Sequence, residues 1–260
     1  MKIIFIGDVF GKPGRKIILD HLERLKHDYA ADVFIINGEN LADGKGLTEK
    51  TTKPLFEAGV TAITSGNHLW DRHDALDYLK TETRIVKPLN FPEAALGSPV
   101  LNLQLESGDL TLLCLTGQMF MPACDSPFSA METFLQNKPD LSSPILVDFH
   151  AESTAEKRAF AQMFDGRIAA MVGTHTHIQT ADEEIMPLGT GYITDVGMTG
   201  PHDSVIGVKK HLIIEKMRTG MPVRYEVANS GLQINGVFLE IDAHTRKTLF
   251  IKRIREHIAE

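Results

Sequence analysis

Short runs of consecutive hydrophobic residues alternate along the chain with segments in which hydrophobic residues recur every three or four positions. The short runs are typical of strands buried on both faces of a sheet, and the recurring pattern is typical of amphipathic helices. The predicted strands are residues 2–6, 32–36, 60–64, 110–115, 144–149, 167–172 and 191–194. The predicted helices are residues 17–25 with their flanks, 48–59, 71–79, 127–136, 153–164 and 208–217. This alternation predicts an α/β fold in which a sheet is covered by helices.

Turn-forming residues mark the boundaries of these elements. Thr48 is a candidate cap for the second helix. Proline and glycine punctuate residues 80–110, which predicts loops with short strands there. Residues 232–241 and 247–254 alternate around a polar turn and predict a hairpin. The sequence has no linker, repeat or low-complexity segment, so we predict a single domain over residues 1–260.

The charge balance of the chain narrows the classes of function. Its 260 residues carry a formal net charge of -7, so a broad basic surface for long nucleic acid is not expected. A small anionic substrate stays compatible, because bound metal ions supply local positive charge. The hydrophobic run at residues 3–6 is too short for a signal peptide or a membrane span, so we expect a cytoplasmic protein without membrane association. Cys114 and Cys124 lack metal-site or disulfide spacing and are expected to be reduced thiols.

Polar residues cluster where the predicted strands end. Carboxylate, carboxamide and imidazole groups follow five strands, at Asp8, 37–40, 65–68, 148–150 and 173–177. Loops beyond the carboxyl ends of strands are where α/β sheets build binding sites. Oxygen and imidazole nitrogen ligands bind divalent transition metals well. Each segment alone also fits a helix cap, a turn or a polar strand end, but five such segments together indicate a metal site.

Two features suggest that this site holds a pair of ions. Glu39 has two carboxylate oxygens and can bridge two ions, and ions about 3.5–4 Å apart are a standard clamp for phosphoryl transfer. His175 and His177 are two residues apart. An extended segment would point both rings to the same side, whereas a tight loop would let them reach two neighbouring ions.

The order of these residues resembles the calcineurin-like metallophosphoesterase superfamily. That pattern has an Asp-x-His after the first strand, a bridging carboxylate after the second, a Gly-Asn-His after the third, and later a lone His and a Gly-His-x-His. The matching residues here are Asp8, Glu39, Gly66-Asn67-His68, His150 and His175-Thr176-His177. Phe10 stands in place of the first His, and Glu39-Asn40 in place of an Asp. Both departures resemble one branch, the YmdB-like phosphodiesterases, and the resemblance runs from Met1 to about Ile254.

The resemblance implies a four-layer α/β/β/α sandwich that binds two divalent metal ions, iron or manganese. The ligands implied for the first ion are Asp8, Glu39, Asn40 and His177. The ligands implied for the second ion are Glu39, Asn67, His150 and His175. Asn40 would supply the ligand that Phe10 cannot, and His68 is implied to be the proton donor. The branch is associated with hydrolysis of 2′,3′-cyclic nucleotides, so a small phosphodiester is the expected substrate, and a homo-oligomer is expected on family grounds.

These implied roles lead to a mechanistic hypothesis. A hydroxide between the two ions would attack phosphorus while the ions neutralise the phosphate oxygens. His68 would protonate the leaving alkoxide, because an imidazole titrates near neutral pH. Asp182 and Asp195 are candidates to orient the ligand histidines. Residues 88–128 are expected to form the walls of the pocket.

Three alternative functions stay open on the sequence alone. A phosphomonoesterase would use the same metal site. A metal-binding regulatory protein would have only incidental activity. A metal-dependent nuclease acting on long RNA is the third alternative, although the acidic charge balance disfavours it. The complete donor set together with His68 favours an enzyme, because a protein that only binds metal does not need an acid.

Overall fold

The computed structural model describes residues 1–258, which form two β-sheets with helices on their outer faces. The strands are β1 (Lys2–Ile6), β2 (Val33–Asn37), β3 (Ala62–Thr64), β4 (Ile85–Val86), β5 (Val100–Leu103), β6 (Leu110–Thr116), β7 (Ile145–His150), β8 (Ala170–Thr174), β9 (Glu184–Ile185), β10 (Gly191–Ile193), β11 (Gly200–Pro201), β12 (Leu232–Asp242) and β13 (Lys247–His257). The α-helices are α1 (Gly11–Asp28), α2 (Glu49–Glu57), α3 (Pro127–Asn137), α4 (Thr154–Phe164) and α5 (Lys210–Thr219). Two short 3₁₀ helices span His73–Ala75 and Tyr78–Lys80.

The first sheet has the strand order β11-β12-β1-β2-β3-β4, and β13 pairs with β12. Strands β1 to β4 run parallel, so they end at the same edge of the sheet. Ile6 lies beside Ile36, and Ile36 lies beside Ile63. The residues that follow β1, β2 and β3 therefore start from the same level of the sheet.

The second sheet has the strand order β5-β6-β7-β8-β10-β9. Its central strands β6, β7, β8 and β10 are parallel, and the edge strands β5 and β9 are antiparallel to their neighbours. Thr116 pairs with His150, and His150 pairs with Thr174. The loops after β6, β7 and β8 therefore also leave one edge side by side.

Alternation along the strands sorts the side chains into layers. In β1, Ile4 and Ile6 pack with α1 and α2, whereas Ile3 and Phe5 pack against the second sheet. Helices α3 and α4 cover the other face of the second sheet, where the Phe149 ring stacks on Phe160 of α4 at 4.6 Å between centroids. The layers follow the order helix, sheet, sheet, helix, which confirms the predicted α/β/β/α sandwich.

The predicted helix cap, C-terminal hairpin and short strands are present in the structure. The Thr48 hydroxyl accepts a hydrogen bond from the Thr51 backbone N–H at 3.3 Å, so it caps α2 as predicted. Strands β12 and β13 form the predicted C-terminal hairpin, and the predicted short strands within residues 80–110 are β4 and β5. The two-residue strands β9 and β11 were not predicted, because two residues are too few to produce a periodic pattern.

The predicted helix over residues 71–79 is wrong. The segment instead contains the two short 3₁₀ helices, separated by Leu76 and Asp77. Ala75 and Leu79 are its buried hydrophobic side chains, whereas Leu76 is only partly buried. Two buried positions four residues apart form one turn of an apolar stripe, which is too little to stabilise a longer helix by packing.

Three further expectations concern the number of domains, membrane spans and the cysteines. The single domain over residues 1–260 stays a prediction, and residues 259–260 lie outside the described part of the chain. None of the helices described within residues 1–258 combines the length and the apolar character needed to cross a membrane. Cys114 and Cys124 are both free thiols, as expected.

Candidate metal centre

Polar loops from both sheets come together at one place. Asp8 follows β1, and its Oδ2 accepts a hydrogen bond from the backbone N–H of His175, which follows β8, at 3.2 Å. Glu39 follows β2, and its Oε2 lies 3.1 Å from Nε2 of His150 at the end of β7. The carboxyl ends of parallel strands from the two sheets therefore face each other, and Asp8, Glu39, His150 and His175 of the predicted site come together there.

One group of donor atoms centres on the second sheet. It contains Glu39, His150 and His175, whose donor atoms all lie within 4.8 Å of one another. Nδ1 of His175 is 3.1 Å from Nε2 of His150. Two imidazole nitrogens and a carboxylate oxygen at this spacing can bind one metal ion.

A second group adjoins the first on the side of the first sheet. Nε2 of His177 lies 3.2 Å from Oδ1 of Asn40 and 3.9 Å from Oδ1 of Asp8. Glu39 lies between the groups, because its Oε1 is 3.5 Å from Nδ2 of Asn40 while its Oε2 contacts His150. A carboxylate in this position can contribute one oxygen to each group.

Two buried oxygens of predicted ligands lack hydrogen-bond donors. Among residues 1–258, neither Oδ1 of Asp8 nor Oδ1 of Asn67 has a hydrogen-bond partner. Leaving a buried acceptor unsatisfied is unfavourable by about 1–3 kcal/mol, and more for a charged one. Such oxygens are satisfied by a cation, so this donor set fits bound metal.

Burial and neighbouring charges shift the pKa values of the carboxylates and histidines in the centre. Burial would raise the pKa of Glu39, but the positive charge and hydrogen bond of His150 bring it down to about 2. Burial would lower the pKa of His150, but Glu39 and Asp8 raise it to about 9. Burial and the charge of His150 lower the pKa of His175 to about 3. Burial raises the pKa of Asp8 well above its ordinary value. In this centre, burial therefore disfavours charged carboxylates, whereas the positive charge of His150 favours them.

The loop that carries His175 and His177 is tight rather than extended. Both residues have left-handed backbone angles, with φ of 98° and 66°. His175 consequently faces His150, whereas His177 faces Asn40. Of the two geometries considered from sequence, the tight loop is the one observed, and it directs the rings to two adjoining groups.

The two carboxylates considered as orienters of the ligand histidines act elsewhere. Asp182 accepts hydrogen bonds from Thr180 and Thr194. Asp195 accepts from the backbone N–H and the hydroxyl of Thr176, at 3.1 and 2.8 Å, and from the buried ammonium of Lys157 at 2.8 Å. Neither carboxylate bonds a histidine ring through these contacts, and Asp195 instead fixes Thr176, the residue between the two histidines.

The side chains that do orient histidine rings were missed. Nδ1 of His150 lies 2.8 Å from the Thr174 hydroxyl, which donates to Asp148 at 2.7 Å. Nδ1 of His68 lies 2.8 Å from Oδ2 of Asp71. Asp148 stands two residues before His150 on a strand and thus on the same face, and this spacing was the available signal. The contact of Asp71 depends on the turn after β3, which has no clear pattern.

His68 lies beside the donor groups with its ring partly open to solvent. Its backbone N–H donates to Oε2 of Glu39 at 3.2 Å. Its side chain is 26% exposed. The ring is therefore accessible from outside, while the backbone ties it to the carboxylate at the middle of the centre.

Phe10 occupies the place where the general superfamily pattern has a histidine. Its buried ring stands edge-on to the His177 ring at 5.6 Å between centroids. A Cβ atom on Gly44 or Gly207 would lie 2.6 Å from ring atoms of Phe10, so these glycines make room for it. Phe10 therefore supports His177 by packing, and the amide of Asn40 contacts His177 on the polar side.

Comparisons with known proteins match nearly the whole chain. A model of the family described as "YmdB-like protein" matches residues 4–254. The chain is 44% identical over 254 residues to the 2′,3′-cyclic-nucleotide 2′-phosphodiesterase of Bacillus subtilis (strain 168), covering 98% of this chain and 96% of that protein. The crystal structure of a novel phosphatase from Mycoplasma pneumoniae matches with a TM-score of 0.94 and 40% identity, over 99% of this chain and 93% of that one. A hypothetical protein from Thermus thermophilus matches with a TM-score of 0.93 and 35% identity, over 99% of both chains. The chain belongs to the YmdB-like protein family.

Proposed function

We propose that the protein is a two-metal phosphodiesterase that hydrolyses small diesters, foremost 2′,3′-cyclic nucleotides. The observation that carries this proposal is the buried cross-sheet cluster of donors, with its two oxygens that have no partner among residues 1–258. The substrate is supported by the Bacillus subtilis relative, which is a 2′,3′-cyclic-nucleotide 2′-phosphodiesterase. The net charge of -7 supports a small substrate over long nucleic acid.

The two adjoining donor groups fit two divalent ions. We assign the first ion to Asp8, Glu39, Asn40 and His177, whose donor atoms adjoin one another. We assign the second ion to Glu39, Asn67, His150 and His175. When bound, the ions would supply positive charge against the phosphate oxygens and lower the pKa of a coordinated water. Oxygen and imidazole donors suit iron or manganese, which we propose as the native metals.

His68 is the proposed proton donor. Hydrolysis of a cyclic diester breaks one P–O bond and leaves an alkoxide on the ribose, which needs a proton. Asp71 contacts Nδ1 of the ring, and this contact favours a proton on that nitrogen. The transferred proton would then come from Nε2. The partial exposure of the ring supports access by a substrate.

A phosphomonoesterase is the second candidate, and the Mycoplasma pneumoniae structure described as a novel phosphatase favours it. Both candidates need the same metal centre, and they differ in whether the phosphate has one ester bond or two. We further propose a cytoplasmic location and assembly into a homo-oligomer, with no membrane partner.

A panel of phosphate esters tests the proposed function. Metal-reconstituted protein is assayed with a 2′,3′-cyclic nucleotide, a 3′,5′-cyclic nucleotide, a nucleoside monophosphate and bis-p-nitrophenyl phosphate, with and without chelator. The proposal predicts diester cleavage that chelator abolishes and that Asp8→Asn loses. The matched control is Asp20→Asn, which changes an exposed carboxylate of α1 that pairs with Lys16. Cleavage of the monoester alone would make the protein a phosphatase, and the absence of cleavage by protein holding two ions would favour a regulatory role.

A further inference from the structure

The turn after β6 displays an aromatic ring in an unusual backbone conformation. Phe120 is 86% exposed, and Met119 beside it is 48% exposed. Phe120 has φ of 64°, in the left-handed region. It is the third residue of a turn from Gln118 to Met121, closed by a hydrogen bond of 3.4 Å from the Met121 N–H to the Gln118 carbonyl. Glycine or asparagine is the usual residue there, so a bulky side chain at this position points to a function of the ring.

This segment, residues 118–121, is fixed to the body of the protein and is hereafter called the Phe120 turn. The buried carboxylate of Glu156 accepts hydrogen bonds from the backbone N–H groups of Gln118 at 2.8 Å and Met119 at 3.2 Å. The side-chain amide of Gln118 donates to the carbonyl of Cys124 at 2.9 Å. The exposure of Phe120 is therefore built into an anchored turn.

The Phe120 turn leaves the sheet beside the metal centre. Strand β6 pairs with β7 so that Thr116 lies opposite His150. The next residue, Gly117, donates its backbone N–H to the His150 carbonyl at 3.0 Å. Glu156, which holds the turn, belongs to the first turn of the helix that follows His150. Phe120 therefore follows by three residues Gly117, whose backbone contacts His150, a proposed ligand of the second ion.

We propose that Phe120 stacks on the nucleobase of the substrate while the phosphate lies at the metal centre. This inference rests on the proposed function and adds how the nucleoside is recognised. In a 2′,3′-cyclic nucleotide, a single ribose separates the base from the phosphate, so the base would extend only a short way from the metal centre, and the Phe120 turn leaves the sheet beside that centre. Every base has a π-face, so stacking favours nucleotides over base-free diesters and discriminates little among bases. The exposed thioether of Met119 adds apolar surface on the same turn.

Comparing a nucleotide with a base-free diester tests the proposal. The substrates are adenosine 2′,3′-cyclic phosphate and glycerol 1,2-cyclic phosphate, assayed with metal-loaded enzyme. The main variant is Phe120→Gly, because glycine suits the left-handed backbone and preserves the turn. We expect kcat/KM for the nucleotide to fall about fivefold to a hundredfold, chiefly through KM. We expect kcat/KM for the glycerol diester to stay unchanged, and the melting temperature to stay equal or rise.

Two further variants sharpen the comparison. Phe120→Trp keeps an aromatic face and is expected to retain the preference for the nucleotide. Phe250→Ala removes a partly exposed phenylalanine from β13 and is expected to change neither substrate. An equal loss on both substrates in Phe120→Gly, or no loss on the nucleotide, overturns the proposal. A nucleotide defect accompanied by a change in sedimentation also overturns it, because Phe120 would then be a contact between copies of the chain.

A binding measurement separates this proposal from the proposed function. Calorimetry with adenosine monophosphate and metal-loaded protein reports stacking whether or not turnover occurs. We expect binding to weaken about fivefold to a hundredfold in Phe120→Gly. Equal binding by wild type and variant overturns the stacking role. Weakened binding without any hydrolysis by wild type contradicts the proposed function but keeps the stacking role.

Discussion

The buried ion pair between Lys157 and Asp195 allows a quantitative prediction about the loop behind the metal centre. Both side chains are fully buried, and their charged atoms lie 2.8 Å apart. The Lys157 ammonium also donates to the Thr174 carbonyl at 2.8 Å. Asp195 in turn holds the backbone of Thr176 and of Gly197. The pair therefore joins α4 to the loop that carries His175 and His177.

The expected effect of Lys157→Met follows from burial. Removing one partner of a buried pair leaves an uncompensated charge and is destabilising by about 3–5 kcal/mol. Asp195 would keep its hydrogen bonds from Thr176 and Gly197, so we expect a loss near the lower end, about 3 kcal/mol. Loosening the histidine loop should also weaken metal binding by about tenfold to a hundredfold, as for other residues that support ligands.

Chemical denaturation in chelator measures the stability change, and calorimetry measures metal affinity. The matched control is Lys209→Met, because Lys209 pairs with Glu226 at the surface at 2.6 Å, and exposed pairs of this kind contribute little to stability. The double variant Lys157→Met with Asp195→Asn removes both buried charges and should regain much of the lost stability. If Lys157→Met is no more destabilising than Lys209→Met, or if the double variant is as unstable as the single one, the reasoning is refuted.

Three further predictions concern the metal centre itself. His68→Ala should lower turnover about a hundredfold or more with metal content unchanged by elemental analysis, and Asp71→Asn should show a smaller loss; normal turnover in His68→Ala would exclude the acid role. Gly66→Ala should lose metal, because its Cβ would lie 2.3 Å from Oε2 of Glu39 and 2.4 Å from Nε2 of His150, and a fully loaded variant in elemental analysis would contradict the geometry. His150 has a raised pKa of about 9, so at neutral pH the metal-free ring is protonated and must lose its proton to become a ligand. Metal affinity should therefore fall as pH decreases below about 9, by up to about tenfold per pH unit for this one group, and calorimetry in buffers of different ionisation enthalpy should detect proton release; a pH-independent affinity would argue against His150 as a ligand.

Sequence reasoning located the candidate centre because its residues lie at strand ends. The buried strands are short, their apolar runs stop abruptly, and the polar residues after them have few other roles in a parallel sheet. The contact between Glu39 and His150 joins the two sheets, and these two residues are more than a hundred positions apart in the sequence. The ordered motif could predict that such residues meet, but only the packing of one sheet on the other determines which atoms face each other.

The parts that sequence reasoning missed depend on tertiary contacts. Lys157 lies on a helix where a lysine normally indicates a solvated face, yet it is buried against Asp195. Asp71 was placed at the start of a helix, and the segment instead turns so that its carboxylate reaches His68. The anchoring of the Phe120 turn by Glu156 joins positions far apart in sequence. Neither periodicity nor residue type reports such pairings.

A metal titration tests the central claim most directly. Metal-free protein is titrated with Mn²⁺ while hydrolysis of a 2′,3′-cyclic nucleotide and bound metal per chain are followed together, with Asn67→Ala as a variant that lacks a proposed ligand of the second ion alone. Activity in the wild type should reach its plateau only at two ions per chain, and Asn67→Ala should bind the first ion while remaining nearly inactive. A plateau at one ion, or hydrolysis that persists in fully metal-free protein, would contradict a two-metal phosphodiesterase.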